Sequence, residues 1–76
     1  MRKLSYSIIL RPEPECGYTV IVPSLPGCIT YGKTVEEAKK MALDAIKAYL
    51  ESLKKHDEPI IDDSEILEET LSIQFA

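Results

Sequence analysis

The 76-residue sequence contains no tryptophan, one histidine, two cysteines and three glycines, and each scarcity closes off a class of chemistry. The sole imidazole, His56, falls at the end of a predicted helix. It reads there as a partner for free carbonyls rather than as a catalytic base. Cys16 and Cys28 form no Cys-x-x-Cys pair, and no histidine stands at ligand spacing from either, so neither a zinc site nor any other metal site is expected. Neither thiol has a sequence neighbour that would lower its pKa, so neither reads as a nucleophile. Gly17, Gly27 and Gly32 make neither a phosphate loop nor a dinucleotide fingerprint, and no cofactor is expected. There is no secretory core segment and no apolar run of membrane-spanning length. A cytoplasmic protein with reduced, packed thiols is the expectation. Without a nucleophile, an acid–base pair or a metal cluster in reach of one another, the chain reads as a non-enzyme.

Charge is scarce in one place only. Residues 56–76 hold seven acids and no lysine or arginine, against an overall net charge of −4. Residues 1–33 carry four cations against two acids, and residues 34–55 five against four. That distribution does not suit a broad nucleic-acid-binding face, and a positively charged protein is the better partner.

What the sequence has in abundance is a helix. Between residues 34 and 54 the apolar positions are Ala38, Met41, Ala42, Ala45, Ile46, Tyr49, Leu50 and Leu53, spaced alternately by three and one. That spacing is one buried stripe at the α-helical period. Thr34 is suited to cap the start, with Glu37 three residues later to complete a capping box. Cations near Lys54 and a following Pro59 mark the end.

Strand signals flank this helix. Residues 4–10 alternate, with Leu4, Tyr6, Ile8 and Leu10 on one face, and residues 18–22 form a second strand after a Pro/Glu/Gly turn. Pro23, Pro26 and Gly27 break that strand, and residues 28–31 give a third. After the helix, residues 57–70 are an acidic connector, in which Asp63-Ser64 would start one helical turn through Glu68. Residues 71–75 alternate again as a final strand. The expectation is one α+β domain over residues 1–76, arranged β-β-β-α-β. One long helix would pack on a mainly antiparallel four-stranded sheet of order 3-2-1-4. Sheets of this topology also open metal-dependent nucleases, but residues 4–10 hold no Asp or Glu to bind a metal.

One stretch is distinctive: GYTVIVPSLPGCITYGKTVEEA, residues 17–38. Gly17, Tyr18, Val20, Pro23, Leu25, Pro26, Gly27, Cys28, Thr30, Gly32, Thr34, Glu36, Glu37 and Ala38 reproduce a pattern of a Gly–aromatic pair, Pro-x-Leu-Pro-Gly-Cys, a strand ending in Gly, and Thr-x-Glu-Glu-Ala opening a helix. This resembles the core signature of HicB-like antitoxins, and the β-β-β-α-β order, a partial RNase H-like sheet, extends the resemblance over nearly the whole chain. The resemblance implies a small basic partner, the mRNA-cleaving toxin HicA, whose active surface the antitoxin covers, and it implies oligomerisation. Ser24 and Lys33 stand where the family often has acids, and Met41 where Asn is common. Many members add a DNA-binding helix-turn-helix or ribbon-helix-helix; residues 57–76 are too short and acidic for either, so no direct nucleic-acid contact is expected. Each motif position also has a plain structural role: the prolines and glycines shape turns, Cys28 is a small buried hydrophobe, and Thr34 with Glu37 caps the helix.

Two candidate surfaces remain. Asp62, Asp63, Glu65, Glu68 and Glu69 would face a basic toxin. Ile9 and Ile21, on the sheet face the helix does not cover, together with Leu43 at the margin of the helical stripe, would carry self-association into a homodimer or a paired tetramer. The alternative to an antitoxin is a small oligomerising or ligand-binding module with no toxin partner.

Overall fold

The capping residues place the helix. In the computed structural model, which describes residues 3–75, α1 spans Val35–Lys55. Thr34 is the N-cap in extended backbone, its Oγ1 accepting the Glu37 N–H at 3.1 Å. Glu37 returns the contact, accepting the Lys33 N–H at 3.0 Å, one residue further back than the usual box. At the other end the His56 ring donates from Nδ1 to Ser52 O at 2.8 Å, the carbonyl-satisfying role its position implied.

Three strands precede the helix: β1 (Ile9–Pro12), β2 (Tyr18–Ile21) and β3 (Ile29–Gly32). β1 pairs antiparallel with β2, Ile9 opposite Ile21 and Leu10 opposite Val20. β2 pairs antiparallel with β3, Val20 opposite Thr30 and Ile21 opposite Ile29. The fold is α+β, a three-stranded sheet of order β1-β2-β3 with the helix on one face.

The expected four-stranded sheet of order 3-2-1-4 is therefore corrected. Residues 71–75 form no strand, and Leu71, Ile73 and Phe75 are 91%, 88% and 94% exposed. Alternation shows that a segment suits a sheet but does not supply the neighbouring strand. The first strand is also shorter than residues 4–10. β2 stops before Pro23, which has no N–H to continue a ladder, so residues 5–7 lose their neighbour on that side. The expected helical turn after Asp63 is a single bond, Ile66 N–H to Asp63 O at 3.0 Å, and does not propagate.

Two buried clusters join helix to sheet. Val20, Ala38 and Ala42 pack together with Ile8, Leu10 and Tyr18 around them. Val22, Leu25 and Cys28 form the second, against Tyr6, Ala45, Ile46, Tyr49 and Leu50. Burying Val20 and Val22 contributes roughly 1.5–3 kcal/mol each. Small residues let the layers approach closely. A Cβ on Gly32 would lie 2.3 Å from the backbone nitrogen of Ala38. Met41 falls outside the buried stripe, at 41% exposure.

Candidate functional site

The Pro-Ser-Leu-Pro-Gly-Cys segment is a plug for the core. Leu25 N–H bonds to Val22 O at 3.1 Å, Cys28 N–H to Leu25 O at 2.9 Å, and Val22 N–H to Cys28 O at 3.1 Å. These three bonds turn Leu25 and Cys28 inward beside Val22. Gly27 takes the left-handed conformation the turn requires, at φ +80°. Burial pushes the Cys28 thiol above its ordinary pKa, so it stays protonated and behaves as a small apolar side chain. Cys16 is exposed, and both cysteines are free.

Around Gly17 the motif is again structural. The Tyr31 hydroxyl donates to Cys16 O at 2.9 Å, and its ring lies where a Cβ on Gly17 would stand. A hydrogen bond with Cys16, partial burial and the nearby Glu37 and Glu13 carboxylates all raise the Tyr31 pKa. Tyr18 packs at the margin of the first cluster.

The acidic segment divides in two. Asp62 and Asp63 hold the chain to the stretch before β1. Ser5 N–H donates to Asp62 Oδ2 at 2.8 Å, Ser7 N–H to Asp63 Oδ2 at 2.7 Å, and Asp63 N–H to Ser5 O at 2.8 Å. Ser24 Oγ donates to Asp63 Oδ1. The segment thus takes the place beside residues 5–7 that Pro23 denies to β2, and Ser24 is one of its anchors. Glu65, Glu68 and Glu69 remain exposed.

The face of the sheet turned away from α1 carries a cross-strand row. Because Val20 points into the core, its neighbour Ile21 points out, and register places Ile9 and Ile29 beside it. Ile9 is 48% and Ile29 61% exposed. A shallow pocket joins Ile9 to Pro23, Ser24, Ile66 and Glu68, so an acid stands at the rim of an apolar patch. Leu43 is elsewhere. It lines an open groove between α1 and the outer edge of β1, with Tyr6, Ile8 and Ile46. Ile9 and Ile21 thus share the sheet face, and Leu43 lies on a second surface. Ile29 and Ile66 were missed by sequence reasoning; pairing the third strand's alternation with the second would have found Ile29, whereas Ile66 depends on the tail's path.

Comparison with known proteins gives the family. Residues 6–76 match the family described as HicB-like antitoxin of bacterial toxin–antitoxin system. The chain belongs to the HicB-like antitoxin family. It is 48% identical over 61 residues to a UPF0150 protein of Thermoplasma acidophilum, covering 80% of this chain and 88% of that one. It is 38% identical over 60 residues to antitoxin HicB 1 of Photorhabdus laumondii, covering 79% of this chain and 39% of the relative. Over 43 residues it is 42% identical to antitoxin HicB of Escherichia coli, covering 57% of this chain and 31% of the relative. The chain thus spans well under half the length of the relatives named HicB, and most of the UPF0150 protein. Among the described residues, no three His, Cys, Asp or Glu side chains converge to hold a metal ion, and no helix is long and apolar enough to cross a membrane.

Proposed function

We propose that this HicB-like chain neutralises a small basic, HicA-like, mRNA-cleaving toxin by covering its active surface, in the cytoplasm and by binding rather than catalysis. The observation that carries the reading is the open sheet face: a row of exposed Ile9 and Ile29 flanking half-buried Ile21, with the Glu68 carboxylate at its rim. Protein-binding surfaces combine an apolar centre with a polar margin, and the sign of the margin selects the partner. Glu68 at the rim, with the exposed Glu65 and Glu69 of the same segment, supplies the negative charge for a basic toxin, while Asp62 and Asp63 are engaged in hydrogen bonds within the chain. The reading treats residues 1–76 as one HicB-like domain, makes no direct nucleic-acid contact and needs no cofactor.

Self-association into a homodimer or tetramer through Ile9 and Ile21 is the competing use of the same face, and would suit a module with no toxin. Titration calorimetry with a small basic HicA-like toxin, taken from the adjacent reading frame where one is encoded there, separates the two. Toxin masking predicts that Ile29→Lys weakens binding at least ~10-fold, the loss of more than 1 kcal/mol expected for a central interface residue. A wild-type chain that gives no heat with that toxin, yet sediments as an Ile29-dependent oligomer, would favour the module.

A further inference from the structure

Among the described residues, the most exposed apolar side chains lie in the tail. Leu67, Leu71, Ile73 and Phe75 are all at least 88% exposed, and the last three alternate with Ser72 and Gln74 in the period of a half-buried strand. An alternating apolar strand left in water is a pairing element without its pair.

The opposite half of such a pair is present at β1. It is an edge strand, with β2 on one side only. Val22 N–H bonds to Cys28 O, just before β3, so by alternation Thr19 and Ile21 turn their peptide groups to Arg11 and Ile9. Leu10, and Ile8 one pleat earlier, are then left with peptide groups facing the open edge. Beside that edge lies the groove under α1, walled by Tyr6, Ile8, Leu43 and Ile46 and flanked by Lys39 and Lys40. A five-residue strand laid along β1 would turn every second side chain into this groove and complete the layer beneath the helix. Glu69, two residues before Leu71, would enter past the two lysines, so the charges match as well as the apolar faces.

We propose that residues 71–75 of one copy of this chain add as a strand to the free edge of β1 in a second copy, with Leu71, Ile73 and Phe75 seated in the groove between β1 and α1. Each copy holds one tail and one groove, so reciprocal exchange closes as a two-fold dimer and does not propagate into a filament. Main-chain bonds supply pairing and the groove supplies register. The interface is separate from the isoleucine row, leaves that face open, and does not depend on a toxin.

Light scattering on the eluting full-length protein, combined with hydrogen exchange, tests it. A mass of two chains at ~100 µM is expected for the wild type, with slowed exchange at residues 71–75. Ile73→Lys should give the mass of one chain with an unchanged far-UV spectrum, since that side chain is 88% exposed in the single chain and supports nothing there. Leu43→Lys should do the same from the groove side, and Gln74→Ala should leave the dimer intact. A wild-type mass of one chain, with or without protection at 71–75, would overturn the proposal. So would a dimer that Ile73→Lys leaves in place.

Discussion

At the scale of single residues the motif sorts by what each position touches, and the three glycines differ in kind. Gly32 is pressed against backbone that cannot move aside: an added Cβ would stand 2.3 Å from Ala38 N and 2.4 Å from its Cα. Gly32→Ala is therefore expected to lower unfolding free energy by about 3 kcal/mol, at the upper end for overpacking, measured by urea denaturation. Gly27 has open space around its Cβ position but a φ of +80°, so Gly27→Ala should cost only the left-handed penalty of about 1 kcal/mol. Equal losses at both sites would contradict this division. The thiols divide by environment too. At pH 8 an aromatic disulfide reagent should modify exposed Cys16 promptly and buried Cys28 only as the protein opens. Because the folded pKa of Cys28 is raised, its contribution to stability is complete below the unfolded value near 9 and is lost as pH rises through the folded one. Only part of this was legible in the sequence: a Cys after Pro-Gly reads as core, whereas Gly32 reads as a turn residue and its close approach to Ala38 emerges only when the helix packs on the sheet.

At the scale of elements, legibility followed the range of the interaction that decides each one. α1 was readable to within a residue because its stripe, Thr34 cap and Lys54-Lys55 end are local. β2 and β3 were nearly as plain, being bounded by Gly17, Pro23 and Gly32. The two failures were both questions of pairing. Residues 4–8 keep the predicted alternation, yet their neighbour is decided by Pro23 and by acids some sixty residues away. Residues 71–75 have a strand's pattern and no strand beside them in their own chain. The acidic segment was misjudged for the same reason: Asp62 and Asp63 look like solvated charge in sequence, and the fold spends them on Ser5, Ser7 and Ser24. Asp63→Ala should accordingly cost about 1–3 kcal/mol, the range for stranding hydrogen-bonded groups, and speed exchange of the Ser7 amide. Glu65→Ala, on an exposed side chain, should leave both unchanged. If the two variants behaved alike, the division of the acidic segment into anchor and free acids would be wrong.

At the scale of the whole molecule, the chain presents two incomplete surfaces in opposite directions: the isoleucine row beneath the sheet, and the groove with its tail at the edge of β1. The contact with a basic partner should also weaken with salt, since Glu68 at the rim is exposed and its attraction beyond about 10 Å is largely screened at 0.1 M. A several-fold loss of affinity between 50 and 500 mM NaCl is expected, carried by a slower association rate. The sequence alone could name the family, because the turn chemistry of Pro-Ser-Leu-Pro-Gly-Cys is local, and alternation put Ile9 and Ile21 on the uncovered sheet face, but Ile29 joins their row only through register. The most direct measurement is RNA cleavage by a purified HicA-like toxin with increasing amounts of this chain. Cleavage falling to background near equimolar protein, and persisting when Ile29→Lys is substituted, is the predicted result. Undiminished cleavage under a large excess of correctly folded wild-type chain would contradict the account.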